Sequence, residues 1–174
     1  MSLSKLPVEL SMKYLIVLYS DPIRTKSISS CVIASLGNVV SQCIAGAFCS
    51  KNFDFNNLRA HALFGLIFGG TVPHYFFKLL DDLVAQRSKY GVMMKLLIER
   101  LIYAPFYHIL SLYMLAIFQG KSHDEAVQNT KKQFLTLLKA NWKFITVLQF
   151  INLKFVHPMF RVLILNFIWL FWGI

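Results

Sequence analysis

Hydrophobic residues in this chain gather into blocks of lipid-crossing length. No formal charge occurs between Lys26 and Lys51, between Arg59 and Lys78, or between Arg100 and Lys121. A fourth block, Phe144 to Ile174, carries only Lys154 and Arg161 as formal charges. A hydrocarbon core about 30 Å thick takes roughly 20 helical residues at about 1.5 Å rise each. The pattern therefore predicts four membrane helices, at about residues 27–48, 60–79, 96–118 and 147–172. The fold class expected is all-α: a single integral membrane domain over residues 1–174, with short interfacial amphipathic helices beside the spans.

Two such interfacial helices are predicted. Residues 8–20 place Leu10, Tyr14, Val17 and Leu18 on one side, and Asp21-Pro22 then reads as an N-cap with proline at the first helical position. Residues 123–142 open on Ser122-His-Asp-Glu125, a capping box, and carry Lys131, Lys132, Lys139 and Lys143 opposite an apolar side. A basic amphipathic helix of this kind suits a membrane surface. The connection holding Asp81, Asp82, Arg87, Lys89 and Lys95 reads as a solvated loop.

Polar residues inside the apolar blocks are the candidate functional positions. Ala34, Asn38, Ser41, Gln42 and Ala45 recur at three- and four-residue steps, so they share a face of the first span. Lipid has no use for Asn38 and Gln42; a neighbouring helix or a wet path does. The second span carries Gly65 and Gly69, a GxxxG pair expected to pack on Ala34, Asn38 and Ala45. The third opens with Glu99-Arg100, and Arg100, Tyr103, Tyr107 and Ser111 step along a single face. Arg100 reads equally as an interfacial anchor. In the last block Lys154, His157 and Arg161 would form a basic stripe on one helix unless Pro158 splits it. Two unpaired cations at the centre of a bilayer cost about 5–7 kcal/mol, so inward placement is expected for Arg161, with Glu99 its first partner and Asn38 or a tyrosine hydroxyl next.

Composition narrows the function. Of 174 residues 56% are hydrophobic and only 15% charged, with mean hydropathy +0.55, a membrane composition. The net charge of +10 would suggest nucleic acid in a soluble protein, but here attraction to anionic headgroups accounts for it. The odd number of cysteines, Cys31, Cys43 and Cys49, argues for buried free thiols over a disulfide framework. No Ser/His/Asp set, metal-ligand spacing, phosphate loop or HExxH is present, so neither an enzyme nor a bound cofactor or metal is expected.

The ordered set of residues resembles the peroxisomal membrane protein 2 family, four-span proteins that include mitochondrial inner-membrane members. The resemblance rests on Tyr14 and Leu18, Pro22-Ile-Arg-Thr25, Leu36-Gly37-Asn38 with Gln42, then Gly65, Gly70 and His74. It continues through Glu99-Arg100-Leu-Ile-Tyr-Ala-Pro105, Asn141-Trp142, Gln149-Phe-Ile-Asn152, Phe155-Val156, Phe160-Arg161 and Trp172. Asn38 follows Gly37 where many relatives have aspartate, which looks more like the peroxisomal branch. Thr71 follows Gly70 where proline is common, and Ile145-Thr146 replaces a Trp-Pro pair. The resemblance implies a channel for small metabolites in the peroxisomal membrane, with the mitochondrial inner membrane as the alternative. It also implies cytosolic termini and recognition by the peroxisomal import receptor for membrane proteins; a homo-oligomer is compatible with it.

On the channel reading Asn38, Gln42, Glu99, Arg100, Tyr103, Tyr107, His157 and Arg161 face one interior path or bridge helices, and surplus cations favour anionic solutes. On the competing reading the same residues form a dry, non-conducting bundle that serves structure or the recruitment of lipids and partners.

Overall fold

In the computed structural model residues 6–45, 53–84 and 90–172 are described, and every regular element among them is helical. The helices are α1 (Leu6–Ser20), α2 (Pro22–Ile44), α3 (Phe55–Leu83), α4 (Gly91–Phe118), α5 (His123–Phe155) and α6 (Arg161–Trp172). Pro22 opens α2 as expected, although the Asp21 side chain makes no cap. The Asp21 carbonyl instead accepts from Thr25 N–H at 3.1 Å and Thr25 Oγ1 at 2.8 Å. Asp54 caps α3 by accepting from Asn57 N–H at 2.9 Å. Gly120, at φ +86°, ends α4, a left-handed turn that favours glycine. The capping box at Ser122 and Glu125 then starts α5 with both of its hydrogen bonds in place.

α2, α3 and α4 are long and apolar enough to cross a membrane. The fourth predicted span, 147–172, is not one helix, and the predicted surface helix does not stop at 142. α5 runs unbroken for 33 residues, about 50 Å, because nothing between Trp142 and Phe155 breaks it. The break comes at the next residue. Val156 is extended at φ −91°, ψ 130°, and Pro158, lacking an N–H, cannot continue the ladder. α6 then spans 12 residues, about 18 Å, well short of a bilayer core. The proposed Lys154, His157, Arg161 stripe is split accordingly, with Lys154 exposed at the end of α5 over the Phe150 and Phe155 rings.

The helices form a ring. α2 packs on α3, α3 on α4, α4 on α5, α5 on α6, and α6 returns to α2, while α1 lies against α2. α1 buries Leu18 and bonds Tyr14 Oη to Ser29 Oγ at 3.2 Å, but Val17 points outward, against expectation. Val32, Leu36, Ile67, Leu101, Ile102, Phe106, Val147 and Leu148 are exposed on the outside. Inside are Asn38, Gln42, Glu99, Arg100, His108, Asn141, Gln149 and Asn152, all buried. This apolar-out, polar-in arrangement is what hydrocarbon surroundings require. Of the cysteines, Cys31 is half-buried and Cys43 exposed, so the expected burial fails at Cys43; Cys49 lies outside the described residues.

Two features of the ring were not anticipated. First, α3 and α4 each contain a π turn, at Gly65–Gly69 and Glu99–Tyr103. Second, the glycines approach a different stretch of α2. A Cβ on Gly65 would lie 2.6 Å from Ser30 O, one on Gly69 3.1 Å from Ser30 Cβ, and one on Gly70 would collide with the Ser27 backbone. Close packing therefore runs through Ser27 and Ser30, a full turn or more before Ala34, Asn38 and Ala45.

The outward face of α5 changes chemistry along its length. Lys131, Lys132 and Lys139 are exposed in its first part, and Val147, Leu148, Ile151 and Phe155 after Trp142. Tyr113 Oη to His123 Nδ1 at 2.9 Å and Arg100 Nη1 to Asn141 Oδ1 at 2.6 Å pin this first part along α4. It is not a separate surface helix: its lysines run beside a helix whose own outer face is apolar.

Candidate functional site

The small and polar residues of α2 recur at helical spacing because they face the middle of the ring. There they border a cavity of about 360 Å³. Ser30, Ala34, Asn38 and Ser41 of α2, Asn57 and His61 of α3, Tyr107, His108 and Ser111 of α4, Leu137 of α5 and Asn166 of α6 line it. Among the described residues that line it there is no Lys, Arg, Asp or Glu. The wall is mostly apolar, with Ile33, Phe64, Leu112, Leu115 and Leu170 beside the hydroxyl, amide and imidazole groups, and the cation surplus expected along the path is absent from this part of the interior.

Amide hydrogen bonds hold one end of the cavity. Gln42 Nε2 donates to Asn38 Oδ1 at 2.7 Å and to the Asp54 carbonyl at 3.0 Å, while Asp54 N–H donates to Gln42 Oε1 at 2.7 Å. Gln42 thus clamps the start of α3 to the end of α2. His61 Nδ1 lies 2.9 Å from the Asn57 carbonyl, which accepts only if that nitrogen carries the proton. Asn38 Nδ2, 3.3 Å from the same nitrogen, is then in contact with it without donating. Gln119 Nε2 donates to Asn57 Oδ1 at 2.9 Å, tying the end of α4 to the start of α3.

A charged layer sits deeper in the ring. Glu99 and Arg100 are adjacent in sequence, and on a regular helix they would diverge by about 100°. The π turn inserts one extra residue here, and both are buried, at 2% and 7% exposure. Arg100 donates through Nε and Nη2 to the two Glu99 oxygens, the second at 2.7 Å. Its Nη1 donates to Asn141 Oδ1 at 2.6 Å, and Trp142 Nε1 donates to the Arg100 carbonyl at 3.1 Å. Arg100 is an interior ion-pair partner, not an interfacial anchor. Beside it Tyr103 stacks on Phe76 at 4.0 Å and on Tyr107 at 5.3 Å, an aromatic column between α3 and α4.

Arg161 lies inward, as expected, but its partner is Asp81, not Glu99. Its Nη1 is 2.8 Å from both Asp81 carboxylate oxygens. Lys95 Nζ donates to Asp81 Oδ1 as well. The reason for the difference is the length of α3. It continues past residue 79 to Leu83, which puts Asp81 one turn after the buried Phe77 on the inner face. Glu99 is already satisfied by its neighbour. Arg161 also donates through Nε to the Val156 carbonyl at 3.3 Å and through Nη2 to the Leu153 carbonyl at 3.5 Å. One guanidinium thus closes the C-terminal end of α5 while pairing with α3.

The eight sequence-derived positions fall into separate layers. Asn38 and Tyr107 line the central cavity, and Gln42 is hydrogen-bonded beside it. Glu99, Arg100 and Tyr103 form the layer below, Arg161 the next, and His157 lies exposed in the connection after α5. Sequence reasoning missed Asp81, Lys95 and His61 as interior residues, whereas His108, four residues after Ala104 and beside the Arg100 stripe, is buried as that spacing indicates. The signal for Asp81 was its four-residue spacing from the buried Phe77.

Comparison with known proteins finds relatives that are membrane proteins by name. The model of the Mpv17 / PMP22 family matches residues 116–174. Peroxisomal membrane protein 2 of Bos taurus is 29% identical over 98% of this chain and 89% of its own length. PXMP2/4 family protein 3 of Dictyostelium discoideum is 34% identical over 92% of this chain and 85% of its own length. Peroxisomal membrane protein PMP22 of Arabidopsis thaliana is 28% identical over 93% and 85%. No solved structure is significantly similar. A relative at 34% identity aligned over nearly the whole chain, with the buried Asn141, Gln149, Asn152 and Arg161 inside the segment that the family model covers, makes this chain a member of the Mpv17 / PMP22 family.

Proposed function

We propose that the protein passes small solutes across the peroxisomal membrane, the location carried in the names of its bovine and Arabidopsis relatives. The observation that carries this reading is the five-helix ring around a cavity of about 360 Å³ whose described lining is mostly apolar, uncharged and set with a few polar groups. A cavity of that size matches a small metabolite. Hydroxyl, amide and imidazole groups on its wall offer hydrogen bonds without holding an ion. The preferred solute class is therefore small, uncharged or weakly charged, and partly apolar.

A homo-oligomer belongs to this reading, because a lysine facing lipid at the bilayer centre costs about 2.5–3.5 kcal/mol. Self-association that turns the Lys131, Lys132 and Lys139 face of α5 away from lipid removes that cost. Cysteine cross-linking at position 139 tests it.

Planar-bilayer recording on the purified protein tests conduction. Ser41→Phe, which fills the cavity, should cut conductance several-fold while leaving thermal stability near that of the parent. A specific observation favours the competing, non-conducting reading: Glu99, Arg100 and Asn141 hydrogen-bond one another in a buried layer beside the cavity. No conductance above protein-free bilayers would select that reading.

A further inference from the structure

A second cavity, of about 240 Å³, opens where α3 and α5 end and α2 and α6 begin. Its wall includes Lys26, His74, Lys78, Asp81, Asp82 and His157. Lys26 is only 4% exposed, and its Nζ is 2.9 Å from His74 Nδ1. An ammonium carries three protons and accepts nothing, so His74 Nδ1 is the acceptor and takes one of them. Among the described residues no carboxylate forms an ion pair with Lys26. A buried charge without a counter-charge is costly, and this one sits against an open cavity.

The nearest acids do not supply the missing charge. Asp81 is held by Arg161 and Lys95, and Asp82 is exposed. Lys26 and Lys78 line the cavity opposite Asp81 and Asp82, and Lys95 and Arg161, which pair with Asp81 from behind the wall, bring the cluster to an excess of two positive charges. Donors approach from three directions: Lys26 from α2, Lys78 from α3, and His157 from the connection after α5.

We propose that this cavity binds a phosphate group, with Lys26 as the buried anchor and Lys78 and His157 closing over it from the rim. A doubly charged, tetrahedral oxyanion matches both the charge excess and the three-sided arrangement of donors. The site lies at the first turns of α2, at the end of a membrane helix, so the phosphate can arrive on a lipid headgroup or on a soluble ester. The assignment is independent of conduction, since the central cavity contributes none of these residues.

The test uses the full-length protein in a neutral maltoside detergent. Inorganic phosphate is titrated by calorimetry at constant ionic strength, and thermal unfolding is followed in phosphatidylcholine nanodiscs with and without phosphatidic acid. Saturable phosphate binding, weakened at least tenfold by Lys26→Met and several-fold by Lys78→Gln but not by Lys121→Gln, supports the site with a soluble ligand. Stabilisation by phosphatidic acid alone, lost in the same two variants, supports it with a lipid headgroup. Lys78 is exposed, so its variant keeps the test open if Lys26→Met does not fold. Absence of saturable binding in both formats, or binding unchanged in Lys26→Met and Lys78→Gln, overturns the proposal.

Discussion

Asp81→Asn is the substitution that most directly examines how the ring is held. Asp81 is the shared partner of Arg161 and Lys95, which are 5% and 4% exposed. The change is nearly isosteric, so it removes charge and little volume. It leaves two buried cations facing a neutral amide, and stranding one partner of a buried ion pair costs about 3–5 kcal/mol. The Asp81 side chain is itself 16% exposed, so water relieves part of this, and a loss of about 3 kcal/mol is expected. That is a large share of the roughly 5–15 kcal/mol typical of a folded domain. Reversible unfolding in mixed micelles measures it, with the exposed neighbour Asp82→Asn as a control expected within about 0.5 kcal/mol of the parent. The double variant Asp81→Asn/Arg161→Met should recover part of the loss, because the stranded guanidinium is gone. An Asp81→Asn protein within about 1 kcal/mol of the parent would refute the reasoning, since the cations would then be solvated without the carboxylate.

Other outcomes follow from local geometry. Gly70→Ala should destabilise by about 1–3 kcal/mol, because its Cβ would meet the Ser27 backbone, which cannot yield as a flexible side chain can; the same micellar unfolding assay measures it. Gly120→Ala, by contrast, meets open space, and any loss of about 1–2 kcal/mol would come from its φ of +86° alone. Ser122→Ala should cost about 1 kcal/mol through the lost capping box, seen as a lower unfolding midpoint and faster amide exchange in the first turn of α5.

The sequence told some of this directly and the rest not at all. Asp21-Pro22 and Ser122 to Glu125 mark helix starts by local chemistry, and both starts are where the residues indicate. The inward face of α2 was legible because Ala34, Asn38 and Ser41 keep helical spacing without interruption. Membership of the family was legible from ordered residues along nearly the whole chain. The partner of Arg161 was not legible. It depended on α3 continuing past a cluster of charges that, read locally, looks like a loop. The length of α5 was missed because the change from lysine-rich to apolar surface at Trp142 resembles a helix boundary, although the backbone passes straight through it. Pro158 was a visible signal, and the helix does break two residues before it. The π turns leave no mark in composition; only the pair of adjacent buried charges, Glu99 and Arg100, hints at one of them.

Those two turns alter how α3 and α4 tolerate change. Each helix carries one residue more than regular winding needs, at Gly65–Gly69 and at Glu99–Tyr103. One extra residue turns everything after it by about 100° relative to everything before it. A single helical wheel drawn over either span therefore assigns half of its residues to the wrong side. Each span is better treated as two short wheels out of phase, joined at the bulge. A polar replacement that is harmless at a given spacing before the bulge falls on a different wall at the same spacing after it. Winding a bulge as regular helix with its extra residue kept would swing the far half of its span, with Asp81 in α3 or the Tyr107 face in α4, by about 100° out of the ring, whereas deleting that one residue would straighten the helix and leave those faces inward.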